Sequence, residues 1–234
     1  MSFKAKDSLS DQIAQHLANQ IIRGDMLAGD RIQELRIAAE LEVSRGSVRE
    51  ALLILQRRHL IDILPRRGAV VMELSESQVR SLYETVQVLL GLVVRKAIKV
   101  MQDEDLDHFI GMIHNVQQAL DARDSDAFFE ASFAFFESLY PFARNPYVES
   151  ILGNLQPALQ RTYYIALHLD QDEMKECLSF FKAMIETVFR RDIRSALEII
   201  REFAEHQSEL VQESITKARQ IEAAWGKGRR RQGA

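Results

Sequence analysis

Apolar positions recur at two different periods along this chain, and the change between them divides it. Leu9, Ile13, Leu17 and Ile21 return every fourth residue behind Asp7 and Ser8, which places them on one face of a helix ending near Gly24. Gly29 marks a turn. Ile37, Ala38 and Leu41 predict a short second helix, and Val43-Ser44 breaks it before a third whose inward stripe is Val48, Ala51, Leu52 and Leu55. Two short helices meeting through a tight turn make a helix-turn-helix pattern. Leu60-Ile61-Asp62-Ile63-Leu64 and Ala69-Val70-Val71-Met72, joined by Pro65-Arg66-Arg67-Gly68, then predict a two-stranded wing with a basic tip.

From Ser75 onward every periodic segment is helical. The segments 76–101, 103–121, 125–142, 146–168, 171–190 and 193–220 are separated by breakers such as Asp124-Ser125-Asp126 and Asn145-Pro146, and connections this short force neighbours to run antiparallel. The expected fold is mainly α: an N-terminal winged helix-turn-helix over 1–74, an all-helical antiparallel bundle of about six helices over 75–222, and a basic disordered tail over 223–234.

Composition narrows the function classes. A chain of 234 residues with 47% hydrophobic content can bury two modest cores, and a net charge of -4 announces neither a polybasic nor an acidic binder. Any basic surface is therefore local: residues 1–73 carry 11 basic against 10 acidic side chains, the remainder 19 against 24. Apolar runs stay far below the roughly 18 residues of a membrane span, the N-terminus lacks a signal-like apolar run, and the single cysteine, Cys177, has no partner for an internal disulfide. A cytoplasmic protein with no membrane association is expected. No Gly-rich phosphate loop, HExxH, nucleophile elbow or triad is present, so an enzyme is not expected.

The third predicted helix carries the nucleic-acid chemistry. Ser44 is placed to cap it, Arg45 and Arg49 are four apart and share the face opposite Val48, Ala51 and Leu52, and Ser47 can donate to phosphate. Two guanidiniums on such a face suit guanine edges in the major groove or phosphate clamping. Gly46 should cost helix stability of about 1 kcal/mol relative to Ala, which reads either as drift or as a need for close backbone approach. An isolated arginine pair would more often just solvate a helix face. Arg66 and Arg67 at the wing tip, with Arg57-Arg58-His59 at the end of the helix, turn the pair into part of a bipartite phosphate surface. The expected partner is double-stranded DNA.

The order and spacing of Ala38-Ala39-Glu40-Leu41, Val43-Ser44-Arg45, Val48-Arg49-Glu50-Ala51-Leu52 and Pro65-Arg66-Arg67-Gly68 resemble the DNA-binding domain of the GntR family. The helical remainder, with Asn145-Pro146 after one helix and Arg191-Asp192 opening the last, is similar to the FadR/FCD branch, so the resemblance covers nearly the whole chain. It implies that Arg45 and Arg49 contact the operator and that Gly68 approaches the minor groove. Some members carry a further arginine ten positions before Arg45; that position is Leu35 here, with Arg36 beside it.

The resemblance also implies a ligand-responsive C-terminal domain, commonly with a divalent metal held by one Asp and three His. The matching positions here are Ser132, Phe136, Phe181 and Phe203, which offer no such donor set, so no metal and no cofactor are expected. The six histidines supply no obvious substitute: His108 and His114 are six apart, His168 and His206 lack an acidic or His neighbour at i+4 that repeats the site, and each reads as a surface or capping residue. An effector-clamping arginine of the branch corresponds to Val86, with Leu90 nearby, which disfavours a small dicarboxylate. Two readings of the pocket stay open. In one, Val86, Leu90, Phe136, Phe181 and Phe203 line a cavity for a hydrophobic or acyl-type effector, with Ser132 or Tyr163 as polar handle. In the other, the phenylalanines fill the space, and the chain is a helical adaptor or a regulator without a small ligand.

Overall fold

The computed structural model describes residues 8–167 and 172–231, with side chains up to Thr216. It divides into two compact units, 1–74 with 153–161 and 75–152 with 162–234.

In the first unit, α1 (Leu9–Ile22) begins at Ser8, whose side chain accepts from Asp11 N while Asp11 answers the Ser8 backbone. That reciprocal cap settles two donors the first turn cannot satisfy. Helix α1 lays Ile13, Leu17 and Ile21 on α3 (Arg45–Arg57), which buries Val48, Ala51, Leu52 and Leu55 in return. Between them α2 (Glu34–Glu40) buries only Ile37 and Ala38. The turn from α2 to α3 passes through Glu42 at φ 53°, a left-handed conformation in a position where glycine would be unstrained.

The wing has one more strand than the sequence predicts. Strands β1 (Arg31–Ile32), β2 (Ile61–Leu64) and β3 (Gly68–Val71) form an antiparallel sheet in the order β1-β3-β2, with Arg31 opposite Val70 and Leu64 opposite Gly68. A two-residue strand is too short to show alternation, which is why β1 escapes a periodicity reading. Its pairing is extended by Gly29 N to Val71 O and Val71 N to Asp30 O, both 2.9 Å.

The second unit is the expected helical array: α4 (Glu76–Val100), α5 (Asp103–Ala122), α6 (Ser125–Leu139), α7 (Pro146–Leu167), α8 (Glu173–Phe189) and α9 (Ile193–Arg231). The segment expected as one helix over 125–142 changes instead at Leu139 into a 3-10 turn, Tyr140–Ala143, where Pro141 lacks the N–H that α-helical bonding needs. Helix α9 also continues through Arg231, so residues 223–231 are helical rather than the disordered tail that Gly226, Gly228 and the charge run suggested. Residues 232–234 lie outside the described part.

Helix α4 runs along α9, α5 contacts both α6 and α8, and α8 contacts α9. The α4–α9 seam is set by a glycine: a Cβ on buried Gly91 would stand 3.1 Å from Leu197 Cδ2. Arg191, in a left-handed conformation after α8, gives its guanidinium to the carbonyls of Ile98 and Met101, the latter at 2.8 Å, and so satisfies the end of α4. Asp192 then caps α9 by accepting from Ser195 N at 3.1 Å.

Forcing a branched side chain into the Gly91 contact is expected to destabilise by about 1–3 kcal/mol. Gly91→Val should therefore lower the denaturant midpoint of the second unit in an unfolding titration. An unchanged midpoint would show that the seam relaxes freely.

Candidate functional sites: a nucleic-acid interface and an aromatic core

Ser44 caps α3 as expected: its Oγ accepts from Ser47 N at 3.1 Å and lies 2.9 Å from Ser47 Oγ. Arg45 and Arg49 stand exposed on the outward face of the same helix. Arg66, Arg67 and Gly68 form the exposed tip of the β2–β3 hairpin, where Arg66 sits at φ 64° and Gly68 at φ 77°. Space does not dictate glycine at 68, since the nearest atom to an added Cβ is Arg31 Nε at 4.0 Å; the left-handed backbone does. Gly46 is likewise unconfined, because a Cβ there would meet only Ser44 Oγ at an ordinary 3.6 Å. Arg36 is exposed on α2 but engaged, its Nε 2.6 Å from Glu40 Oε1, an ion pair that raises its pKa. Leu35, where some relatives carry arginine, is 64% exposed.

Sequence reasoning missed Glu34. It opens α2, and its Oε2 lies 2.8 Å from Arg49 Nε and 3.8 Å from an Arg45 amino nitrogen. One carboxylate thus gathers both recognition-face arginines in the free protein. Such an exposed pair contributes little stability, but it partly neutralises the charge that would meet phosphate and holds the guanidiniums side by side. The 11- and 15-residue separations run across the turn between two helices, so no helical spacing announces the contact.

The pocket positions of the second unit are largely brought together, as packed rings. Phe136 of α6 lies 5.4 Å from Phe181 and 6.4 Å from Phe203, measured between ring centroids, and Phe203 stacks on Phe180 at 3.9 Å. Phe135 and Phe181 meet at 4.6 Å. Contacts at these distances and tilts combine area burial with favourable edge and offset geometry. Ser132 lies on α6 one turn before Phe136, and its Oγ is buried with no nitrogen or oxygen hydrogen-bond partner; the same holds for the buried Tyr163 hydroxyl of α7. Both neighbour the Cys177 thiol, whose pKa burial pushes up to about 12. Burial also raises the pKa of Tyr163. Val86 is buried and Leu90 half-buried on α4, and neither carries a ring or polar atom that ties it to this cluster.

A metal bound as in many FCD proteins does not fit these positions. Three phenyl rings, Phe136 packed against both Phe181 and Phe203, and one hydroxyl present no set of donors for a divalent cation. The histidine reading needs one correction. His206 is no isolated surface residue, because its partners come from α8 rather than from its own helix: Nε2 lies 3.0 Å from Glu173 Oε2 and 3.1 Å from Glu176 Oε2. His114 meets Gln118 at 3.0 Å, and His168 lies outside the described residues.

Comparison with known proteins agrees with this architecture. The family described as "Bacterial regulatory proteins, gntR family" matches residues 9–71, and the FCD domain family matches 81–206, more than half of the chain. The gluconate operon transcriptional repressor of Bacillus subtilis (strain 168) is 27% identical over 172 residues, spanning 74% of this chain and 70% of its own length. The HTH-type transcriptional repressor RspR of Escherichia coli (strain K12) is 26% identical over 220 residues, 93% of each chain. Among solved structures, McbR/YncC of E. coli shares the fold with a TM-score of 0.76 at 19% identity, covering 89% of this chain and 99% of its own. A GntR regulator from Rhodococcus sp. RHA1 superposes with a TM-score of 0.69 at 18% identity, covering 88% and 98%.

Removing the Glu34 charge should free the arginine pair. Glu34→Gln is expected to tighten DNA binding about two- to fivefold, the worth of one exposed charge, with stability changed by less than about 1 kcal/mol. Fluorescence anisotropy on labelled duplex measures the first and thermal unfolding the second. Weaker binding would instead assign Glu34 a positioning role for the arginines.

Proposed function

This chain belongs to the GntR family of bacterial regulatory proteins, with an FCD domain as its C-terminal part, and on that premise we propose that it is a cytoplasmic, ligand-responsive repressor acting as a homodimer on operator DNA. It is a transcription regulator and not an enzyme. Among its described residues no helix is long and apolar enough to cross a membrane.

Residues 1–74 are assigned the DNA contacts. The observation that carries this is the pairing of a Ser44-capped helix with two exposed arginines, Arg45 and Arg49, on its outer face. Ser44 and Ser47 lie at the helix N-terminus, where backbone N–H groups and the dipole favour phosphate. Arg45 and Arg49 are assigned to base edges or phosphates in the major groove, and Arg36 to backbone contact once Glu40 releases it. Arg66 and Arg67 extend the phosphate surface, and Gly68 lets the wing tip approach the minor groove closely. Two copies of α3 in a dimer would read two half-sites, and effector binding in residues 75–222 would alter their spacing or orientation.

For the effector, the proposal is a small molecule with an apolar body and one polar group. Phe136, Phe181 and Phe203, with Val86 and Leu90 contributed by α4, would meet the apolar part. The buried hydroxyls of Ser132 and Tyr163, whose polar neighbour is the weakly bonding Cys177 thiol, support a polar handle, because a ligand oxygen or nitrogen would offer a stronger partner. The close stacking of Phe203 on Phe180 favours the second reading, in which rings fill the space and no small ligand enters.

Two variants test these assignments. Arg49→Ala is expected to weaken binding to a duplex selected from random sequence by about 1–3 kcal/mol and to relax preference at the contacted bases; unchanged affinity removes Arg49 from the readout. Phe136→Ala is expected to lower stability by about 3 kcal/mol, and a medium-chain alcohol or acid should restore part of the melting temperature by entering the space. No restoration by any apolar probe would support the ring-filled reading.

A further inference from the structure

Glu173 and Glu176 stand nearly one turn apart on α8, and His206 reaches both from α9. The three potential ligand atoms lie within 4.8 Å of one another. Exposure grades across the group: the Glu173 side chain is 1% exposed, His206 41% and Glu176 60%. The cluster is therefore closed on one side and open to solvent on the other.

An ion pair accounts for it poorly. One imidazole nitrogen carries at most one proton, yet two carboxylate oxygens converge on it at 3.0 and 3.1 Å. Like charges brought this close repel, and Glu173 is buried as well. Among the described residues no lysine or arginine pairs with Glu173. Gln207, itself 1% exposed, donates its Nε2 to Glu173 Oε1 and leaves its own Oε1 buried without a partner. A negatively charged group with a desolvated carboxylate and an unanswered amide oxygen beside it is short of one positive centre.

One imidazole nitrogen and two carboxylate oxygens are a donor set for zinc and its first-row neighbours. Metal–ligand bonds of about 2.0–2.2 Å place donors at adjacent coordination positions about 3 Å apart. The nitrogen stands at that separation from both oxygens. Gln207 then occupies the position of an outer-shell partner, holding the buried carboxylate in orientation. We propose that Glu173, Glu176 and His206 form a binding site for one divalent first-row transition ion, which joins α8 to α9. The site lies about one turn from Phe180 on α8 and from Phe203 on α9, beside the stacked rings and on different residues from those that replace the usual FCD ligands. Three protein donors leave coordination positions open to water or to an oxygen of a bound molecule.

Full-length protein stripped of metal with a chelator and dialysed should be titrated with Zn2+ by calorimetry, with melting followed in parallel. Binding of one ion per chain and a raised melting temperature are expected. His206→Ala and Glu176→Gln, both at partly exposed positions, should each weaken Zn2+ binding at least about tenfold while melting like wild type in the metal-free state. His114→Ala, altering an exposed histidine on α5, should bind as wild type does. Absence of saturable binding overturns the proposal, as does undiminished binding in both His206→Ala and Glu176→Gln.

Discussion

The packing of α6, α8 and α9 rests on phenyl rings meeting one another. Phe135 and Phe136 from α6, Phe180 and Phe181 from α8, and Phe203 from α9 form a continuous set of tilted and stacked contacts. Close-packed interiors of this kind resist small changes in side-chain volume, so the relative placement of the three helices follows from ring shape. In place of directional metal coordination at Ser132, Phe136, Phe181 and Phe203, the protein uses burial and ring geometry. The same arrangement leaves the Ser132 and Tyr163 hydroxyls beside the Cys177 thiol with no nitrogen or oxygen partner, the feature that supports a ligand-binding reading for a core otherwise filled with hydrocarbon.

The N-terminal unit depends on a different balance. Its core is the ordinary burial of α1 against α3, but its outer surface is governed by charge. Ser44 orders the first turn of α3, and Glu34 holds the arginines that this turn presents. On the proposed DNA contacts, the free regulator would carry its own competitor for phosphate: DNA would have to displace a carboxylate already in contact with Arg49. Arg36 is in the same state through Glu40. Exchange of such surface pairs costs little, and with those contacts it would discriminate against weak, nonspecific polyanions more than against a fully contacting duplex.

Most of the fold was legible because helical periodicity survives over long segments and caps mark its ends. Ser75 and Asp192 stand where α4 and α9 begin, and the expected segments over 76–101 and 103–121 match α4 and α5 to within about a residue. Features that rest on few residues were not legible. Strand β1 has two residues and no alternation to show, and the helical continuation of α9 runs against two glycines. Contacts between elements were hidden as well. The Glu34 clamp and the approach of Glu173 and Glu176 to His206 join different helices, and a period within one helix carries no information about its neighbour's register. The convergence of Phe136, Phe181 and Phe203 was foreseeable only through family resemblance.

The central claim is that this chain engages DNA through a charged recognition surface on α3 and the wing. The most direct test is the salt dependence of its affinity for a duplex selected from a random pool. The account predicts a single enriched two-fold-related sequence whose binding falls steeply with salt, the log–log slope being about -0.9 per phosphate contacted and so several units for a dimer. A slope near zero, or a selection that enriches no sequence, would contradict it and would make the winged domain a surface for protein contacts.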